Sequence, residues 1–328
     1  MEGILRQKST TGMLFSFGQG KGRFGGVRVA VIDIGTNSTR LLVAACEEGS
    51  VREVLHRDLR TTRLGEGIEE RRLRPEAVAR TLRVLEEYLE RARSFGAERV
   101  VAAATSAVRD AANKGEFLRA AREVGLEVEV LSGEEEAYYS YLGACLGLAL
   151  EPRGLVVVDV GGGSTEFIWE GGGSLFCRSV NAGAVRMTEG GYGEEAIGRV
   201  LEPVLQAVRA HAPRHLVGVG GTVTTCAAMV QKLKTYDPSL VHGFTLSLEQ
   251  VEGLLALLSR TPLEERRRLP GLQPERADII VAGVRIVRRI MLGLEMKDLQ
   301  VSETDIMYGL ALRAAGGVER KPVIIYQI

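Results

Sequence analysis

The sequence predicts a duplicated α/β fold of two domains, and three observations carry that prediction. The stretch Leu155–Trp169, LVVVDVGGGSTEFIW, is an apolar run, an acid, a glycine-rich turn and a second apolar run. The segment from Val27 to Cys46, VRVAVIDIGTNSTRLLVAAC, repeats the plan: laid without a gap, Val31 falls on Val157, Asp33 on Asp159, Gly35 on Gly161, Ser38 on Ser164 and Thr39 on Thr165. Asp33 and Asp159 are too far apart for a solenoid period of about 20–50 residues, and their spacing suits a duplicated domain. Finally, 328 residues are many for one hydrophobic core, and a hydrophobic content of 45% can fill two.

The repeated unit implies a chemistry. Val156, Val157 and Val158 are β-branched and unbroken, as in a strand buried on both faces, so Asp159 stands where the strand ends. Gly161, Gly162 and Gly163 let successive backbone N–H groups converge on an anion, with the Ser164 and Thr165 hydroxyls beside them. Taken alone, the glycine run is explained as well by a hairpin between two core strands. Repetition favours the anion nest, because Asp33, Gly35, Thr36, Asn37 and Ser38 offer it again, and two such loops facing each other would enclose a phosphate. A carboxylate beside a phosphate cradle needs a cation between them. Asp159 is therefore a candidate Mg²⁺ ligand, since that ion takes one or two carboxylates plus phosphate oxygens.

Composition narrows the partners. Lys+Arg 42 balance Asp+Glu 42, so no strong global field draws in a nucleic-acid polymer or an anionic membrane, and an anion site has to be local. Cys46, Cys145, Cys177 and Cys226 are scattered without a CxxC and read as reduced core thiols of a cytoplasmic protein. No apolar run is long enough to span a bilayer. Residues 1–26 read as a loose leader without a signal-peptide core, and ordered structure is expected from Val27.

Along the chain, Val51–Leu55 suggests a third strand, and RTTRLGEGIEERRLR (60–74) an exposed, charged connection. Pro75 to Ser94 keeps helical spacing, with Pro75 suited to a first turn. A strand from Arg99, a turn at Thr105 and Ser106, and a helix carrying Arg109 follow. The Arg109 fork suits phosphate oxygens, though an ordinary surface arginine reads the same way. After the strand LEVEVL, Ser132 and Glu135 form a capping box that accounts for the acids of the first turn. Glu136 is not needed there and becomes a candidate general base if the helix starts beside the cleft. Pro152 and Gly154 mark the linker, which places one domain at 27–150 and the other at 151–316, with a tail at 317–328 in which VIIY could pair as an edge strand. HLVGVGGTVTTCAAMVQ repeats strand, turn and helix a third time; Gly220, Gly221 and Thr222 suit either a phosphate or nucleoside wall or a turn without a ligand. Helices are expected near 195–210, 248–259, 263–268 and 276–292, and a last one after LQVSETD that could pack back on the first domain.

These segments together resemble one family. DIGTNSTR (33–40), ATSAVRDAANKGEFL (104–118), SGEEEA (132–137), DVGGGSTE (159–166), GVGGT (218–222), VHG (241–243) and PERADIIVAG (274–283) look like the exopolyphosphatase and guanosine pentaphosphate phosphohydrolase (Ppx/GppA) family, in its order, over about residues 27–314. The resemblance implies an actin-like, ribonuclease H-type duplicated fold and Mg²⁺-dependent hydrolysis of terminal phosphoanhydride bonds, in inorganic polyphosphate or at the 5′ end of guanosine pentaphosphate. It implies Glu136 as the base that activates water, Asp159 and Glu166 as acids near the metal, Arg109 as a basic residue near the chain end, and Arg40 and Arg276 as residues near a guanosine nucleotide. A homodimer is also implied. The extra C-terminal helical domains of long members are not expected in a chain of 328 residues, so neither is their processive handling of long polyphosphate. Two other readings share the two-loop plan: a small-molecule kinase of the same superfold, and a weakly catalytic sensor of guanosine tetra- or pentaphosphate.

Overall fold

The structure, a computed structural model, describes residues 26–317 apart from Glu48, Pro152, Gly172 and Gly173. Residues 1–25 of the expected leader, 318–328 of the tail with its VIIY strand, and the Pro152 half of the linker lie outside these residues.

Eleven strands among the described residues form two sheets. The first holds β1 (Val27–Ile34), β2 (Thr39–Glu47), β3 (Ser50–Arg60), β4 (Arg99–Ala104) and β5 (Val128–Val130), in the order β3-β2-β1-β4-β5. The second holds β6 (Leu155–Val160), β7 (Thr165–Gly171), β8 (Ser174–Val180), β9 (His215–Val219), β10 (Thr245–Ser247) and β11 (Asp298–Val301), in the order β10-β11-β9-β6-β7-β8. Taken from β8, the second sheet follows the first strand for strand and adds β10 at its edge. In each, the first three strands form an antiparallel meander and the next two join in parallel. The duplication seen in one hairpin therefore extends through the whole sheet.

Each sheet is covered on both faces, as its unbroken apolar strands require. One face of the first sheet packs on Leu85, Tyr88 and Leu89 of the helix Pro75–Ser94 and Phe117 of Lys114–Glu123. The outer face of the second packs on the helices Glu194–Arg209, Gly221–Val230, Leu248–Arg260 and Ile280–Gly293. The two inner layers are exchanged. Gly133–Leu148, which ends the first half, lays Ala137, Tyr141 and Ala144 on Val157, Ile168 and Val217 of the second sheet. Ile306–Ala314, which ends the second half, lays Ile306, Leu310 and Leu312 on Val29, Val31 and Leu42 of the first. These two helices cross at backbone distance: a Cβ on Gly143 would strike the Asp305 backbone, and one on Gly309 the backbone of Tyr139.

The expectation of an exposed connection at 60–74 is corrected. Thr62, Leu64, Ile68 and Leu73 are buried, because this backbone is itself a structural partner of the first glycine turn. Arg276 lies in a separate 3₁₀ turn, Pro274–Arg276, and the long helix starts only at Ile280. The four cysteines are free, and Cys46, Cys177 and Cys226 are buried, as core thiols should be.

Candidate active site

Loop I (35–38) joins β1 to β2, and loop II (161–164) joins β6 to β7. They are bonded alike: the Gly35 N–H donates to the Ser38 carbonyl at 3.0 Å, and the Gly161 N–H to the Ser164 carbonyl at 3.0 Å. Their carbonyls are held from behind. Thr36 and Asn37 accept from the N–H groups of Gly65 and Arg63 at 2.8 and 2.9 Å, and Gly161 and Gly162 from those of Ala184 and Val185 at 2.9 and 2.8 Å. In a planar trans peptide the N–H points opposite the carbonyl, so each anchor turns the next N–H the other way. Those of Asn37, Ser38, Gly162 and Gly163 have no backbone acceptor among the described residues. Both loops border one cleft of ≈ 400 Å³, lined by Gly35, Thr36, Asn37 and Ser38 from the first half and by Gly161, Gly162 and Ser164 from the second. Gly163 and Thr165 lie behind this surface; the Thr165 hydroxyl donates to the Ala182 carbonyl at 2.5 Å and fixes the hairpin.

Asp33, Glu136 and Asp159 also line the cleft. The capping box that starts Gly133–Leu148, with Ser132 and Glu135 bonded reciprocally, sets Glu136 one residue past the box, and the exchange of helices brings it to the cleft that both loops border. Arg109 Nη1 donates to Glu136 Oε2 at 2.9 Å and to the Leu131 carbonyl at 3.1 Å. Arg109 is thus the partner of the candidate base and does not itself line the cleft. Burial pushes the Glu136 carboxyl up to about 7 despite Arg109, and the charges of Asp159 and Asp33 add to the rise. Burial and the Asp305 charge bring Asp159 to about 6, although the Ser140 hydroxyl donates to its Oδ2 at 2.6 Å. Glu166, paired across the ladder with Asp159, is fully covered and accepts from the Ser179 hydroxyl at 2.6 Å. Burial, then Glu136 and Asp159, hold it well above the usual carboxylate range.

The third repeat forms the adjoining wall. Gly220 takes a positive φ of 87° and lies so close to Asp159 that a Cβ would meet its Oδ1, so only glycine fits there. Gly221 and Thr222 open the next helix on the cleft. The Arg276 guanidinium covers Gly221, and its Nη2 donates to the Ser38 hydroxyl of the other half at 3.4 Å. Burial and the nearby Arg40 charge lower Arg276 to about 10. Arg40 lines the cleft but is committed, bridging Asp33 at 2.7 Å and Asp305. Burial opposes its charge, and Asp305 and Asp33 outweigh burial.

Sequence reasoning does not single out Ser140, Arg186, Glu303 or Asp305. Ser140 is four residues after Glu136, on the same helical face, which is the only local hint. Asp305 reads as an ordinary N-cap, accepting from the Met307 N–H at 3.1 Å, and its link to Arg40 arises only through the exchanged helix. Glu303, which accepts from the Tyr236 hydroxyl and pairs with Arg57 at 3.6 Å, lines the cleft with both.

The donors suit a hard divalent cation. Asp33 Oδ1 and Glu166 Oε2 are buried carboxylate oxygens without a hydrogen-bond partner, and the acids around them bring oxygen and no nitrogen or sulfur. Among the described residues no three His, Cys, Asp or Glu are grouped to hold a metal alone, so waters and phosphate oxygens would complete the shell, as Mg²⁺ prefers.

Two matching acid-glycine loops on one cleft with a buried carboxylate, on a duplicated sheet with exchanged helices, give a protein of the actin-like fold, and the similarities that follow make it a hydrolase. The chain belongs to the Ppx/GppA phosphatase family, whose model matches residues 42–315. It is 37% identical to exopolyphosphatase 2 of Mycobacterium tuberculosis over 320 residues, covering 88% of this chain and 99% of that protein. Among solved structures, the Ppx/GppA enzyme of Aquifex aeolicus matches with a TM-score of 0.72 at 36% identity, over 88% of this chain and 99% of that one. An exopolyphosphatase from Cytophaga hutchinsonii matches with a TM-score of 0.80 at 25% identity, over 89% and 99%. No helix among the described residues is long and apolar enough to cross a membrane.

Proposed function

We propose that the protein releases terminal phosphate from inorganic polyphosphate, with guanosine pentaphosphate as a second substrate of the same terminal group. The observation that carries this reading is that Glu136 lines one cleft together with two loops in which the N–H groups of Asn37, Ser38 and Gly162 have no backbone acceptor among the described residues. The relative named exopolyphosphatase 2 supports polyphosphate as the first substrate. The loops bind the oxygens of the terminal phosphoryl group and stabilise charge that grows on them in the transition state. Glu136, oriented by Arg109, takes a proton from the attacking water, and its position near 7 suits that task at neutral pH. Asp159, with Glu166 and the unpartnered Asp33 oxygen, would hold Mg²⁺, which would supply neutralisation of phosphate charge. Arg276 and the Gly220–Thr222 turn border the space next to the loops and would contact a longer chain or a nucleoside.

The test is phosphate release with Mg²⁺ from polyphosphates of graded length and from guanosine pentaphosphate. Release from polyphosphate without any added acceptor supports the reading and excludes a kinase. Tight nucleotide binding with no turnover on either substrate would replace it with a sensor.

A further inference from the structure

The peptide between Gly163 and Ser164 is held differently from its counterpart. In loop I the equivalent carbonyl, that of Asn37, accepts from a backbone N–H, Arg63, at 2.9 Å. In loop II the Gly163 carbonyl accepts from a side chain, Arg186 Nε, at 2.8 Å. Arg186 is nine-tenths buried, and its outer nitrogens leave the second half of the molecule: Nη2 donates to Asp110 Oδ2 at 2.7 Å, and Nη1 lies 3.5 Å from Glu69 Oε1. Asp110 follows Arg109, which holds Glu136 at 2.9 Å. Glu189, on the same short helix as Arg186, accepts from the N–H groups of Gly67 at 3.0 Å and Ile68 at 3.3 Å, so this helix grips the first half beside the loops.

We infer that Arg186 is a positioning residue for the phosphohydrolase reaction: by holding the Gly163 carbonyl it aims the Ser164 N–H into the phosphate nest, and it keeps that grip through Asp110 of the facing half. The inference rests on the function proposed above. Its physics is that of a forked donor. A guanidinium can bind a carbonyl through Nε and a carboxylate through Nη2 at once, whereas a lysine ammonium offers one point of contact and must choose. With the halves apart, the fork loses Asp110 and the last peptide of loop II loses its fixed direction, so the nest is complete only around a closed cleft.

The experiment compares the parent with Arg186→Lys, Asp110→Ala and the double variant, using tripolyphosphate and Mg²⁺. Arg186→Lys is expected to lower kcat about 10- to 100-fold while KM moves less than about threefold, because the lost N–H matters most where charge develops. Asp110→Ala is expected to lower kcat about 3- to 10-fold, and the double variant to be no slower than Arg186→Lys within about twofold, since both act on one peptide. Parent-like kcat in folded Arg186→Lys, or losses that multiply in the double variant, would overturn the inference. If Arg186→Lys does not fold, Asp110→Ala decides alone, and parent-like kcat there overturns it. If the parent releases no phosphate, the proposed reaction fails by itself. The role of Arg186 is then read from calorimetric binding of Mg²⁺ with fluoroaluminate, a mimic of the transferring phosphoryl group. About tenfold weaker binding in Arg186→Lys supports it, and equal affinity, including none in either protein, overturns it.

Discussion

Loops I and II share one hairpin plan and differ in what stands across the ladder from the acid that opens each. Asp33 faces Arg40, which it shares with Asp305, while Asp159 faces Glu166, which adds a second buried carboxylate. Loop I is fastened by backbone donors of its own half, loop II partly by a side chain that reaches the other half. The acid of the first copy thus has a cation across the ladder, and that of the second has another acid. On the proposed mechanism, the difference puts the cation on the second side of the cleft, which Glu136 also lines.

The largest effect should come from removing the acid of each copy in turn. Asp159→Asn is expected to raise the Mg²⁺ concentration for half-maximal phosphate release about 10- to 100-fold, and Asp33→Asn about threefold or less, because Arg40 already pairs with that carboxylate. A metal titration of both variants checks this, and equal shifts would erase the asymmetry. Next, Arg109→Gln removes the charge that opposes the burial-driven rise of Glu136, so the acid limb of kcat/KM should move upward from about 7 and activity at pH 7 fall about tenfold. A pH–rate profile reads both. The smallest effect is on stability. With its folded value near 7, Glu136 binds more protons in the folded than in the unfolded protein between about pH 4.5 and 7, so the metal-free parent loses stability as pH rises through that window. Glu136→Gln escapes the loss and should be more stable than the parent by about 1–3 kcal/mol at pH 8, with no difference below about pH 4.5, in urea melts without metal.

Much of this was legible in the sequence because it is local. The acid-glycine-hydroxyl runs specify both loops, and the turn hydrogen bonds of Gly35 and Gly161 match one for one. The Ser132–Glu135 capping box forms and leaves Glu136 free of capping duty. What was not legible depends on partners distant in the chain. The 60–74 stretch looks polar, yet its backbone N–H groups are what fasten loop I, and no side-chain pattern reports a backbone donor. Arg109 reads as a free cation because its partner lies a helix and a strand further along the chain and is adjacent only in the fold. Asp305 reaches the cleft only because the second half lends its last helix to the first, and Arg186 meets Asp110 only where the two halves touch.

The account depends on Glu136 as the group that readies water, and Glu136→Gln tests it most directly, with phosphate release from tripolyphosphate and calorimetric binding measured on the same preparation with Mg²⁺. The predicted result is turnover reduced about 10²- to 10⁴-fold with binding retained within about threefold. Turnover equal to the parent would contradict the account.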